Sequence, residues 1–238
     1  MKKTILVCSL ALLLGSTTAA TTSYAFGLPD MGSVLGGSSS SGTTVNVDGL
    51  TNRQSNMLTK MQTANLLFAS ATSDVYTALE LDPSIVSEQE LIVNNLTEDR
   101  TNEGYIKNAA SANVHTKEIK EALKNAQANG DQERLEKIDG AIRNSEMKKT
   151  AARIFVVLAV KDAVDVIKEG TMGLRGASNV DQLKSLIQSA QGAQKLCDAQ
   201  NKQIKDMDEA LKEYKKTRNI TPPSQEEATS FGESWQKQ

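Results

Sequence analysis

The chain reads as an all-α protein, an elongated four- to five-helix bundle with a long antiparallel C-terminal helical hairpin. Three observations predict this. Apolar residues recur at spacings of three and four through most of positions 50–218, the pattern of helices that bury one face. The apolar content is Ala, Leu, Ile, Val and Met, with only 4% aromatics, which suits closely spaced helices better than sheets. The last periodic stretches are nearly forty residues long, and at about 1.5 Å per residue such a rod reaches roughly 55 Å, too long for a compact sphere.

The first 25 residues read as a secretory signal peptide. Lys2 and Lys3 precede the apolar run 4–14, Gly15 breaks it, and Ser23-Tyr24-Ala25 offers a small-x-small cleavage site before Phe26. The run is too short for a membrane span, which needs about 20 residues. The short two-lysine form is bacterial in style, so the expected location is exported, periplasmic or extracellular. Cleavage removes two lysines and no acid, taking the net charge from −2 to −4. That mild, interspersed acidity excludes a nucleic-acid partner, which requires a concentrated basic face. Cys8 leaves with the signal, so Cys197 stands alone and the exported chain has no internal disulfide.

Residues 26–49 are rich in Gly and Ser and read as a flexible linker. The bundle domain is expected over 50–218. A first helix is predicted from Thr51, as cap, to about Leu81, with Leu58, Met61, Asn65, Phe68, Thr72, Val75 and Leu79 on its buried face and Asp82-Pro83 ending it. Ser87 and Glu90 have capping-box spacing and open a second helix to about Leu96, with Leu91, Ile92 and Val93 apolar. A third helix is predicted from Glu103 to Asn129. Ile106, Ala109, Ala110, Asn113, Val114, Ile119, Leu123 and Ala126 mark its buried side, and Gly130 stops it.

Asp131 caps a fourth helix reaching about Glu169, with Leu135, Ile138, Ile142, Ala151, Ile154 and Leu158 on its inner face. Only Arg153 is charged between Ala151 and Val160, so this stretch is expected to be the most buried. Gly140 is a possible kink, and Gly170, Gly173 and Gly176 suggest a loose turn. Ser178 or Asn179 caps the last helix, Val180 to Thr217, in which Ala193, Leu196, Gln200, Ile204, Met207, Leu211 and Tyr214 form a near-heptad, coiled-coil-like seam. Pro222-Pro223 blocks continuation, and 219–238 reads as a disordered polar tail.

No catalytic residue is assigned, nor any cofactor or metal. His115 is the single histidine and has no ligand set at a usual spacing. The carboxylate pairs Glu88/Glu90, Glu98/Asp99, Asp206/Asp208 and Glu226/Glu227 read as solvated helix faces. Lys148, Lys149 and Arg153 form a local basic cluster. Cys197 reads as a small buried seam residue, with an intermolecular thiol as the other possibility, and Ile204, Met207, Leu211 and Tyr214 offer a face to a partner or to a second copy. The expectation is a non-enzymatic exported protein acting as a binding or assembly component, with no integral membrane contact.

Leu50-Thr51-Asn52-Arg53-Gln54 and Leu58-Thr59-Lys60-Met61-Gln62 both read LTxxQ. This resembles the motif of the small periplasmic chaperones of the Spy and CpxP family. The resemblance covers a small part of the chain and implies, as an alternative function, a cradle-shaped helical protein that binds unfolded clients.

Overall fold

Local chemistry decides where each helix begins and ends in the computed structural model, which describes residues 46–98, 114–174 and 180–236. The signal-peptide reading and nearly all of the Gly/Ser linker fall on residues 1–45, outside those described. Helix α1 spans Val47–Ala78. Asn46 caps it by accepting the Gly49 N–H at 3.0 Å. Thr51, expected as the cap, lies a turn inside and bonds back to the Val47 carbonyl. The helix stops before Pro83 is reached. Glu80 takes a left-handed conformation (φ 52°), so the Leu81 N–H reaches the Tyr76 carbonyl and the Glu80 N–H the Thr77 carbonyl, a Schellman closure.

Helix α2 spans Pro83–Glu98. It opens at Asp82, whose carboxylate accepts both the N–H and the hydroxyl of Ser84, with Pro83 in the first-turn position where its missing N–H costs nothing. Ser87 therefore lies inside the helix and caps nothing. Ile92 and Leu96 are buried, Leu91 is exposed, and Gln89 donates to the Ala69 carbonyl of α1 at 2.8 Å. Helix α3 spans Thr116–Asn129 and ends on Gly130 at φ 66°. It buries Ile119, Leu123 and Ala126 as predicted. Val114 and His115 are not helical, so the predicted start at Glu103 does not extend unbroken into α3; residues 99–113 are outside those described.

Helix α4 spans Gln132–Gly173, capped by Asp131 through the Arg134 N–H. It runs through Gly140, and Gly170 and Gly173 belong to it rather than to a turn. Helix α5 spans Val180–Thr217, the predicted bounds, and closes with a second Schellman motif at Asn219 (φ 54°), the Ile220 N–H reaching the Lys215 carbonyl. Helix α6 spans Gln225–Gln236, so the expected disordered tail is corrected. Ser224 and Glu227 form a reciprocal capping box, and Ala228 and Gly232 are buried.

Among the described residues the fold is six helices with no strand, an all-α bundle. Alpha-helix α4 is its axis. Its ion pairs with α1 and the turn after it run in descending order: Arg53 with Glu169, Lys60 with Asp162 (2.5 Å), Lys148 with Asp74 (2.7 Å), Arg134 with Glu80 (3.1 Å). Those with α5 do the same, from Arg153–Asp208 through Lys215–Glu146 to Arg218–Asp139. Both neighbours are thus antiparallel to α4. Close approach is possible because the α4 side facing them is lined by Ala151, Ala152, Ala159, Ala163 and Gly170, all buried. A Cβ on Gly170 would meet Ile187 of α5 at 3.0 Å. No described helix is long and apolar enough to cross a membrane.

Candidate functional site

Two adjoining features of α4 stand out. The first is a buried charge network at the α4–α5 contact. Glu146 and Lys149 are one helical turn apart, with side chains only 3% and 2% exposed, and they pair with each other. Lys149 also reaches Asp208 at 2.5 Å, Lys215 reaches the other oxygen of Glu146 at 2.8 Å, and Arg153 shares Asp208 at 2.5 Å. Every buried charge here has an opposite partner, the condition under which burial is tolerated. Burial works against ionisation of Asp208, but Lys149 and Arg153 outweigh it and hold the carboxyl below the usual carboxylate range.

This network forms the floor of a shallow groove of about 700 Å³ between α4, α5 and residues 219–222. The groove is lined by six cations (Lys149, Arg153, Lys205, Lys212, Lys215 and Lys216) and three carboxylates (Glu146, Asp208 and Glu209). That balance is opposite in sign to the net charge of −2 for the whole chain, so the groove is a locally positive patch on an acidic protein.

The second feature follows one turn beyond Arg153. Val157 is 52% exposed and Leu158 38%. Ile154, Val160 and Val164 are half-buried beside them. These residues occupy the side of α4 opposite Phe155, Ala159 and Val166, which are buried. Lys161 lies on the same face between Leu158 and Val164, Lys168 follows one turn beyond Val164, and both are exposed. The expectation that Leu158 faces inward is corrected here, and Ile154 is only half-buried. The inner side of this stretch is made of Ala151, Ala152, Phe155, Val156 and Ala159, and Val157 and Leu158 point away.

The residues singled out from the sequence lie elsewhere. Ile204, Met207, Leu211 and Tyr214 are all buried in the protein's own core. The Tyr214 hydroxyl donates to Asp139 of α4 at 2.9 Å. The seam is present, but it is filled by α4 and the other helices, so it offers no face to a partner. Cys197 is fully buried, and burial, with Asp198 nearby, pushes its thiol up to about 12. An intermolecular disulfide would require Cys197 to leave the core. The expected outcome with a maleimide at neutral pH is negligible labelling of the folded chain and full labelling in denaturant; rapid labelling of the native protein would contradict the placement.

His115 sits at the start of α3, its N–H donating to the buried Tyr76 hydroxyl at 2.9 Å and its ring edge-on to Tyr76 at 5.8 Å. That is a docking contact between α3 and α1. Lys148 and Lys149, read as part of a surface basic cluster, are both buried in ion pairs. Lys148 also lies 5.8 Å over the Trp235 ring of α6. Among the described residues, no three His, Cys, Asp or Glu side chains converge as a metal-binding group. Of the LTxxQ stretches, Leu50 is buried, Leu58 is half-buried, and Thr51 and Thr59 bond back to carbonyls of α1.

No protein-family model matches the chain, and no curated protein and no solved structure is significantly similar to it.

Proposed function

We propose that the protein is an exported, non-enzymatic binding or assembly component that engages another protein through the outward face of α4. The observation that supports this is the stripe of Ile154, Val157 and Leu158. A helix apolar around its whole circumference belongs inside a protein or an assembly. Here the chain covers only one side of such a stretch. Contiguous exposed apolar residues rimmed by charge mark interaction sites.

The test is a photo-reactive residue in place of Lys161, with Lys137 on the other half of α4 as the control position. Both side chains are exposed. The expected outcome in cells is a discrete adduct at 161 that is absent at 137 and is lost when Val157→Asp and Leu158→Asp are added. Leu158 keeps most of its surface buried, so the two changes together should cost about 1–2 kcal/mol, and unchanged circular dichroism of the purified variant would show that loss of the adduct reports loss of contact and not unfolding. Identical adducts from both positions would refute the proposal.

The alternative, a chaperone for unfolded clients, is supported by the LTxxQ resemblance. It would be favoured if the purified chain suppressed aggregation of a denatured client and the adducts at 161 were many and unrelated.

A further inference from the structure

Resting on the binding role above, we propose that the outward face of α4 receives one amphipathic helix from a different protein, its apolar stripe bordered by aspartate and glutamate. The shape of the face argues for a helix. Ile154, Val157, Leu158, Lys161 and Val164 follow the three- and four-residue steps of a single ridge, in which Lys161 is the one charged member, and such a ridge is what a second helix packs against. From 154 to 164 the ridge is about 15 Å long, close to three turns.

Charge argues for acidic borders. Arg153 and Lys168 lie at the two ends of the stripe, Lys161 lies within it, and all three are exposed. Arg153 is shared with Asp208, whereas Lys161 and Lys168 have no ion-pair partner among the described residues. The acidic groups on this stretch are Asp162, which pairs with Lys60 of α1, and Asp165, half-buried at the edge. The groove that continues the stripe past Arg153 is itself cation-rich. An acidic-bordered helix laid along the stripe would meet opposite charge on its way.

The same cations argue against a second copy of this chain. Antiparallel pairing centred on Val157 sets Arg153 against Lys161 of the second copy, twice. Parallel pairing sets each cation against itself. Like charges juxtaposed in an interface oppose association.

The test uses the purified full chain and two labelled synthetic peptides of about 18 residues, five helical turns. Both carry the same apolar stripe, one bordered by Glu and the other by Lys, and binding is read by fluorescence anisotropy. The Glu-bordered peptide is expected to bind at least about tenfold more tightly, a difference of about 1.4 kcal/mol. The preference should shrink between about 0.15 M and about 1 M salt, as the screening length falls from about 8 Å to about 3 Å. Lys161→Glu with Lys168→Glu should reverse it, and Val157→Asp with Leu158→Asp should abolish binding of both peptides.

Equal binding of the two peptides would overturn the acidic partner while leaving the apolar surface standing. No binding of either, with no Val157-dependent adduct in cells, would overturn both proposals. A dimer in sedimentation that depends on Val157 would make a second copy the occupant and overturn this inference. Attachment to anionic phosphatidylglycerol vesicles that is lost in the Lys161→Glu, Lys168→Glu variant would replace the partner helix with a lipid surface, and would overturn it equally.

Discussion

Glu146→Ala is expected to destabilise the protein by about 3 kcal/mol or more, because removing one member of a buried ion pair leaves an uncompensated charge. Lys149 is almost wholly enclosed and would keep only Asp208, which it already shares with Arg153. Lys215 would also lose its carboxylate, but it has more access to water. Glu146→Leu combined with Lys149→Met is expected to recover most of the loss. Apolar side chains of similar size often replace a buried pair at little cost, and Asp208 would retain Arg153. Denaturant unfolding followed by circular dichroism measures both. A loss under about 1 kcal/mol for the single variant, or a double variant as unstable as the single, would show that the network does not behave as a buried pair.

The same network gives the stability a pH dependence of known sign. The Asp208 carboxyl is held below its ordinary value in the folded state. Its contribution is therefore fully present above the unfolded aspartate value of about 3.9, and it is lost as pH falls through the lower folded-state value. Acid unfolding should accordingly be most pronounced below about pH 4.

Fold class and most helix positions were legible because burial on one side leaves a periodic trace. α5 is the clearest case. Its bounds are as predicted, and Ala193, Gln200, Ile204, Met207, Leu211 and Tyr214 are all buried. Periodicity does not say what covers the buried face, however. A seam filled by the chain's own α4 and a seam awaiting a partner have the same spacing, so these residues carried a partner expectation that their burial corrects.

The site was hidden for the converse reason. Between Ala151 and Val160 nearly every residue is apolar, so no face is selected by polarity. Selection comes from what α1, α5 and α6 pack against, which buries Phe155 and Val156 along with the alanines. Alanines turn inward where α1 and α5 come close, and Val157 and Leu158 are left outside. Charge misled in the same region. Lys149 reads as part of a local basic cluster, and only the arrival of Asp208 and Lys215 from α5 makes its burial with Glu146 possible.

Capping motifs show the limit of a four-residue pattern. Ser87/Glu90 and Ser224/Glu227 have identical spacing. The first lies inside α2, because Asp82 and Pro83 start that helix earlier. The second opens α6, because Pro222-Pro223 keeps the preceding chain out of a helix. Ala228, Phe231, Gly232 and Trp235 then step by three and four. That short stripe was the available signal for α6, and the polar composition of the tail obscured it.

Gly232→Val tests whether that stripe holds α6 in place. A Cβ at 232 would lie 2.4 Å from the Phe155 ring and 3.2 Å from the Ala151 side chain. Phe155 is buried and α4 is tied to α1 and α5 by packing and ion pairs, so α6 is the element that must move. Overpacking of this kind costs about 1–3 kcal/mol, and the upper limit is set by undocking of the helix. Trp235 is the only tryptophan in the chain and packs partly buried against the core, with Lys148 over its ring. Its fluorescence therefore reports on α6 alone. The expected result is red-shifted, more readily quenched emission with nearly unchanged helical circular dichroism, because α6 contributes only 12 residues. Gly232→Ala should show the same change to a smaller degree. Emission identical to the unsubstituted chain in both variants would mean that α6 is not held against Phe155, and the tail would then be as independent of the bundle as its composition suggests.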